Sequence, residues 1–135
     1  MTSRYYTATD TLLIHFDQAV RTLFGRSMTT GRPNPADDAP PVELPPTEQT
    51  EAMRLMRVNH TGEVCAQALY RGQALTARLN TVRDRMDQAS IEENDHLASC
   101  ETRLKELDSH PSLLTPPFYA GAFTIGALAG QMQAA

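Results

Sequence analysis

A chain of 135 residues is about one domain, long enough to bury a core of its own. Its 41% hydrophobic and 6% aromatic content, with no tryptophan, points to a soluble helical protein. A net charge of −4 and the lack of a basic stripe interleaved with aromatics argue against nucleic-acid binding.

The two cysteines, Cys65 and Cys100, lie far apart inside helical patterns, as reduced core thiols of a reducing compartment would. Asp10 and Asp17 interrupt the apolar run that a signal peptide would need. No stretch reaches the roughly 18–20 apolar residues of a membrane span.

In chain order, residues 9–24 predict a short amphipathic helix, with Thr9 or Asp10 as its cap and Gly25 as its stop. Leu12, Leu13, Phe16, Val20, Leu23 and Phe24 gather on one arc. A helix packed on the domain or on a partner is favoured over a membrane-surface helix, because Asp10, Asp17 and Arg21 on the polar face suit anionic lipid poorly. Residues 26–46 hold six of the nine prolines and read as an extended linker, whose role is to separate this helix (1–25) from the body (47–135).

The first body helix is predicted over 47–78, capped by Thr47. One stripe of it runs Met53, Met56, His60, Glu63, Gln67, Tyr70, Ala74, and a second, apolar arc runs Leu55, Val58, Gly62, Ala66, Leu69. Two such arcs place the helix centrally, with Gly62 expected at a close backbone contact. The short turn Leu79-Asn80-Thr81, with a capping-box pattern from Thr81 to Asp84, leads to an antiparallel neighbour over 82–107. A last helix, 118–132, is uncharged and rich in small residues; Gly126-x-x-x-Gly130 permits close approach, and the segment suits either a buried core or insertion at a membrane interface.

The chemistry concentrates in one stripe of the 82–107 helix: Val82, Met86, Ala89, Glu93, His96, Cys100, Leu104, Leu107. A Glu and a His on an apolar seam must be desolvated, paired or bound to something. Glu63 lies 17 residues before Asn80, and Glu93 to His96 lie 13 to 16 after it. At about 1.5 Å per residue the two sites share one height in the hairpin. A Glu and a His at i, i+3 facing another Glu is a donor arrangement of carboxylate-bridged dinuclear metal sites, where oxygen donors with imidazole favour iron or manganese. The bland alternative is a solvated acidic face of Glu92, Glu93, Asp95 and Glu101 with His96 as a core imidazole. Stripe register turns Glu93 inward rather than Glu92.

The segments Leu-Met-Arg-Val-Asn-His-Thr-Gly-Glu-Val-Cys-Ala-Gln-Ala-Leu-Tyr (55–70) and Glu-Glu-Asn-Asp-His-Leu (92–97) resemble the di-iron demethoxyubiquinol hydroxylase family of ubiquinone biosynthesis, proteobacterial members above all. The likeness continues through 71–78 and 118–130. It implies an all-α, ferritin-like antiparallel helix bundle and a peripheral membrane monooxygenase at the cytoplasmic face of the cell membrane. Its implied reaction adds one oxygen atom from dioxygen to a polyprenylated benzoquinol, with a reductant. By the same resemblance two iron ions are bound: Glu63 on one, Glu93 bridging, and His96 completing the first. Other ubiquinone-biosynthesis proteins are implied partners, and the uncharged last helix becomes lipid-facing access for the polyprenyl tail.

The family carries a second half with another Glu and a second Glu-x-x-His. Here only Glu101, Glu106 and His110 follow His96 among such residues. The expectation is therefore an incomplete bundle holding half of a ligand set. Alternatives are a catalytically silent module that binds membrane or partners, and a homo-oligomer in which two hairpins pool their ligands.

Overall fold

A computed structural model describes residues 5–133. Residues 1–4 of the predicted N-terminal segment and 134–135 of the body lie outside the described residues. The elements are α1 (Ala8–Phe24), α2 (Pro46–Thr76), α3 (Asn80–Glu106) and α4 (Thr115–Met132), with no strand among the described residues.

The central helix is α2, as the two arcs of its sequence anticipated; α3 lies along one side of it and α4 along another. The short connection after Thr76 makes α2 and α3 antiparallel: Gln67 meets Asn94, and Asn59 meets Cys100. By contrast α4 runs parallel to α2, since Thr61 pairs with Thr115 at one end and Thr76 with Ala127 at the other. Val64, Ala68, Leu97 and Tyr119 form the core where these helices meet, with Ala19, Leu23, Ala122 and Phe123 packed around it. Leu97 and Leu104 are fully buried, and each contributes about 1.5–3 kcal/mol by leaving water.

Glycine governs the α2–α4 contact. A Cβ on Gly126 would run into the backbone of Leu69, and one on Gly72 into the backbone of Phe123. Gly130 lies against Gln73 and Thr76 in the same way. The small-residue pattern in the last helix thus marks a helix contact. Gly62, expected to serve this purpose, has open space where its Cβ would be.

That correction extends to the N-terminal part of the second arc of α2, while Ala66 is half-buried and Leu69 meets Gly126 of α4. Leu55 and Val58 are 63% and 71% exposed, while His60, Val64, Gln67, Ala68 and Gly72 are buried. Two neighbouring helices require a broad buried arc, and it centres on Val64 and Ala68, away from Leu55 and Gly62. A similar rotation applies to α1, which packs through His15, Ala19, Thr22 and Leu23 and leaves Leu12, Leu13, Phe16, Val20 and Phe24 exposed.

Helix starts also differ from expectation. Thr7 caps α1, accepting from the Asp10 amide at 3.1 Å while the Asp10 carboxylate accepts from the Thr7 amide at 2.8 Å. No side chain caps α2 or α3; Thr47 lies inside a helix begun by Pro46, and the Thr81 capping box does not form because α3 has already started at Asn80. Gly25 does end α1.

Residues 26–45 are more than a spacer. Ser27 donates through its hydroxyl to Glu101 at 3.0 Å, and Thr30 donates through its amide and hydroxyl to Asp95 at 2.7 and 2.6 Å. These contacts strap the linker to the outside of α3 before the chain turns at Asn34 to Ala39 and enters α2. Both cysteines are free.

Candidate metal centre

Glu63 on α2 and Glu93 and His96 on α3 converge in the groove of the hairpin. His96 Nδ1 lies 3.6 Å from Glu63 Oε2 and 3.4 Å from Glu93 Oε2. One ligand atom from each lies within 4.8 Å of the others, and among the described residues this is the one such cluster of three. The cause is the matched height on either side of a short turn, as the residue count anticipated.

Glu93 points inward, its side chain 17% exposed, whereas Glu92 is exposed and accepts from Gln88 at 3.3 Å. His96 departs from the sequence expectation of a buried seam, because its side chain is 56% exposed. It sits at the rim of the groove, with Leu55, Val58 and Gly62 also exposed on the neighbouring surface of α2.

Burial, followed by the hydrogen bond and negative charge of Glu63, pushes the Glu93 carboxyl up to about 7; His96 opposes the shift. Two carboxylates at this separation cannot both ionise without cost unless a cation joins them. Glu93 Oε2 is buried, and His96 Nδ1 at 3.4 Å does not reach it in hydrogen-bonding geometry, which leaves an acceptor that a cation would satisfy. Two carboxylates and one imidazole therefore fit a hard to borderline divalent cation.

Cys100 accepts from Asn59 Nδ2 at 3.2 Å. Burial, helped by the charge of Glu63, pushes its thiol up to about 11, so it stays protonated and does not act as a thiolate donor at neutral pH. His60, one turn before Glu63, is 3% exposed and turns toward α1, lining a cleft of about 250 Å³ with Leu23, Glu101 and Leu104. Burial holds its imidazole below the ordinary range. A larger cleft of about 490 Å³ lies under the strap, lined by Thr22, Arg26, Met28, Thr30, Ile91 and Asn94, and none of the three candidate ligands borders it.

An all-α arrangement with Glu and Glu-x-x-His on facing helices is of the ferritin-like helical class, in which such donors can hold metal ions. Residues 50–135 match the family described as ubiquinone biosynthesis protein COQ7, and the chain belongs to that family. It is 54% identical over 131 residues to a 3-demethoxyubiquinol 3-hydroxylase of Pseudomonas putida (strain W619), covering 97% of this chain and 61% of that protein. It is 57% identical over 127 residues to the protein of that name from Azotobacter vinelandii, covering 94% of this chain and 59% of the relative. The counterpart in Acinetobacter baylyi is 55% identical over 127 residues, with 94% and 60% covered. The chain thus spans about three fifths of the length of these curated relatives. No solved structure matches it.

Reasoning from sequence placed Gln67 in a stripe without giving it a role, and passed over Thr22 and Asn94. The signal available was an uncharged amide among buried positions one turn from Glu63.

Proposed function

We propose that this chain supplies the Glu63, Glu93 and His96 donors of a dinuclear iron centre in a monooxygenase that hydroxylates a polyprenylated methoxy-methyl-benzoquinol. The carrying observation is the convergence of these three side chains within 4.8 Å in a member of the COQ7 family. Glu63 and His96 would hold one iron and Glu93 would bridge to a second. Iron held there would supply the electrons for reducing dioxygen, chemistry that carboxylates and an imidazole lack.

The protein's own groups set the conditions. Glu93 holds its proton up to about pH 7, and a cation taking that position would displace it. His96, at the rim, leaves one side of the cluster open to a substrate ring and to further donors. Phe118, Ile125 and Leu128 on the outer face of α4 are exposed and uncharged, suited to a polyprenyl tail and to peripheral contact with the cytoplasmic face of a membrane. Among the described residues no helix is long and apolar enough to cross one.

The test is anaerobic ferrous loading of the chain, with metal analysis and a mass-spectrometric assay for one oxygen added to a demethoxyubiquinol. The expected result is iron retained by the unaltered chain and lost in Glu93→Ala. Equal iron in both would overturn the assignment. The exposed apolar faces of α1 and α4 also favour a second reading, a metal-free module that binds membrane or partner proteins through those helices. Turnover by the chain excludes that reading.

A further inference from the structure

Gln67 is fully buried, alongside Leu97, Leu104 and Val64, and it is the polar member of that set. Burying an amide costs free energy unless its groups are paired. Its Oε1 accepts from the Thr22 hydroxyl of α1 at 2.8 Å. Its Nε2 donates to the Asn94 side chain and lies 3.5 Å from the Ser90 carbonyl, both on α3. A single side chain from α2 therefore reaches α1 on one hand and two successive turns of α3 on the other.

The placement gives those bonds a consequence. Gln67 is one helical turn beyond Glu63, about 6 Å along the axis, and Asn94 adjoins Glu93 and stands two residues before His96. The apolar neighbours, Val64, Ala68 and Leu97, gain from burial without a directional bond and so permit other registers. A paired buried amide does not, because a slip of one residue leaves it unsatisfied in the core at a cost of about 1–3 kcal/mol. Buried polar residues that fix helix register are the best-attested use of such groups.

We infer that Gln67 is a positioning residue, pinning α1, α2 and α3 at one height so that the Glu63 carboxylate stands opposite Glu93 and His96. The geometric claim stands on the hydrogen bonds alone; its consequence for metal binding rests on the metal-centre reading. A donor set of this kind holds its function only within about 0.5 Å of the productive arrangement, which is the tolerance a register pin supplies.

The experiment compares the full chain with Gln67→Met, which keeps bulk and removes the amide, and Asn94→Ala, which removes the acceptor at a half-buried position that tolerates truncation. In the metal-free chain, nuclear Overhauser contacts between the His96 ring and the Glu63 methylenes should weaken in both variants. Contacts near the turn, around Ala77 and Val82, should persist. In cobalt(II) titrations the dissociation constant should rise about tenfold or more in each variant, with a changed d–d spectrum. The double variant should be no worse than Gln67→Met alone, because Gln67→Met already removes the bond that Asn94→Ala removes.

Intact His96–Glu63 contacts in the variants would overturn the inference, and so would a cobalt affinity within twofold of the parent accompanied by lowered thermal stability, the mark of a merely structural amide. Should Gln67→Met fail to fold, Asn94→Ala decides alone on the same criteria. Absence of cobalt binding by the parent would instead sink the metal reading, and the metal-free contacts would still decide the role of Gln67.

Discussion

Glu93 carries a proton where an ordinary glutamate would have lost it, and that single displacement links stability to metal binding. Its carboxyl titrates at about 7 in the folded chain, against an ordinary value of 4.5. A raised folded value means the native state binds the proton more tightly than the unfolded chain does. The associated stability is fully present below about pH 4.5 and is lost as pH rises through about 7. Thermal melts of the metal-free chain should therefore show a stability that declines between those limits, and Glu93→Gln should flatten that decline; an unchanged slope in the variant would refute the assignment. This residue was legible in the sequence through stripe register alone, which separated it from Glu92. The exposure of His96 was not, because a stripe gives an angle around the helix and says nothing about whether another element covers that angle.

At the level of elements, the α2–α4 contact shows what a local pattern can and cannot tell. Gly126-x-x-x-Gly130 announced a close helix approach, and Gly126 does lie against the Leu69 backbone. The partner glycine was misjudged: Gly62 faces open space, and Gly72 is the residue that meets α4. Both are small residues on the same helix, and what distinguishes them is that Gly72 lies on the buried arc with Val64 and Ala68 whereas Gly62 lies off it. The direction of α4, parallel to α2, follows from where residues 107–114 return the chain, which helix periodicity does not encode. Gly126→Ala should destabilise the chain by about 1–3 kcal/mol through overpacking against backbone that cannot rotate away. Gly62→Ala, with nothing near its Cβ, should instead stabilise by up to about 1 kcal/mol through helix propensity. Urea denaturation of the two variants measures both signs, and like-signed effects would show that α2 and α4 do not meet as described.

For the molecule as a whole, the decisive feature is how much apolar surface remains outside. Sequence periodicity gathered Leu12, Leu13, Phe16, Val20, Leu23 and Phe24 on one arc of α1, but only Leu23 of them packs on the core, which takes the edge His15, Ala19, Thr22 and Leu23, and the other five stay exposed. On α4, which touches α1 through Phe123 and His15, Phe118, Ile125, Leu128 and Met132 are likewise 54–78% exposed. Exposed large apolar side chains in such number on two helices favour an interaction surface. A net charge of −4 makes attraction to anionic lipid weak, so any membrane contact must be driven by apolar insertion. The expected outcome is flotation of the chain with neutral phosphatidylcholine vesicles, little changed between low and high salt. Each large side chain inserted contributes about 1.5–3 kcal/mol, so Phe16→Ser and Ile125→Ser should each weaken partitioning about tenfold or more. Salt-sensitive binding confined to anionic vesicles would assign the contact to charge instead. Equal partitioning by parent and variants would show that these faces serve protein partners and not lipid.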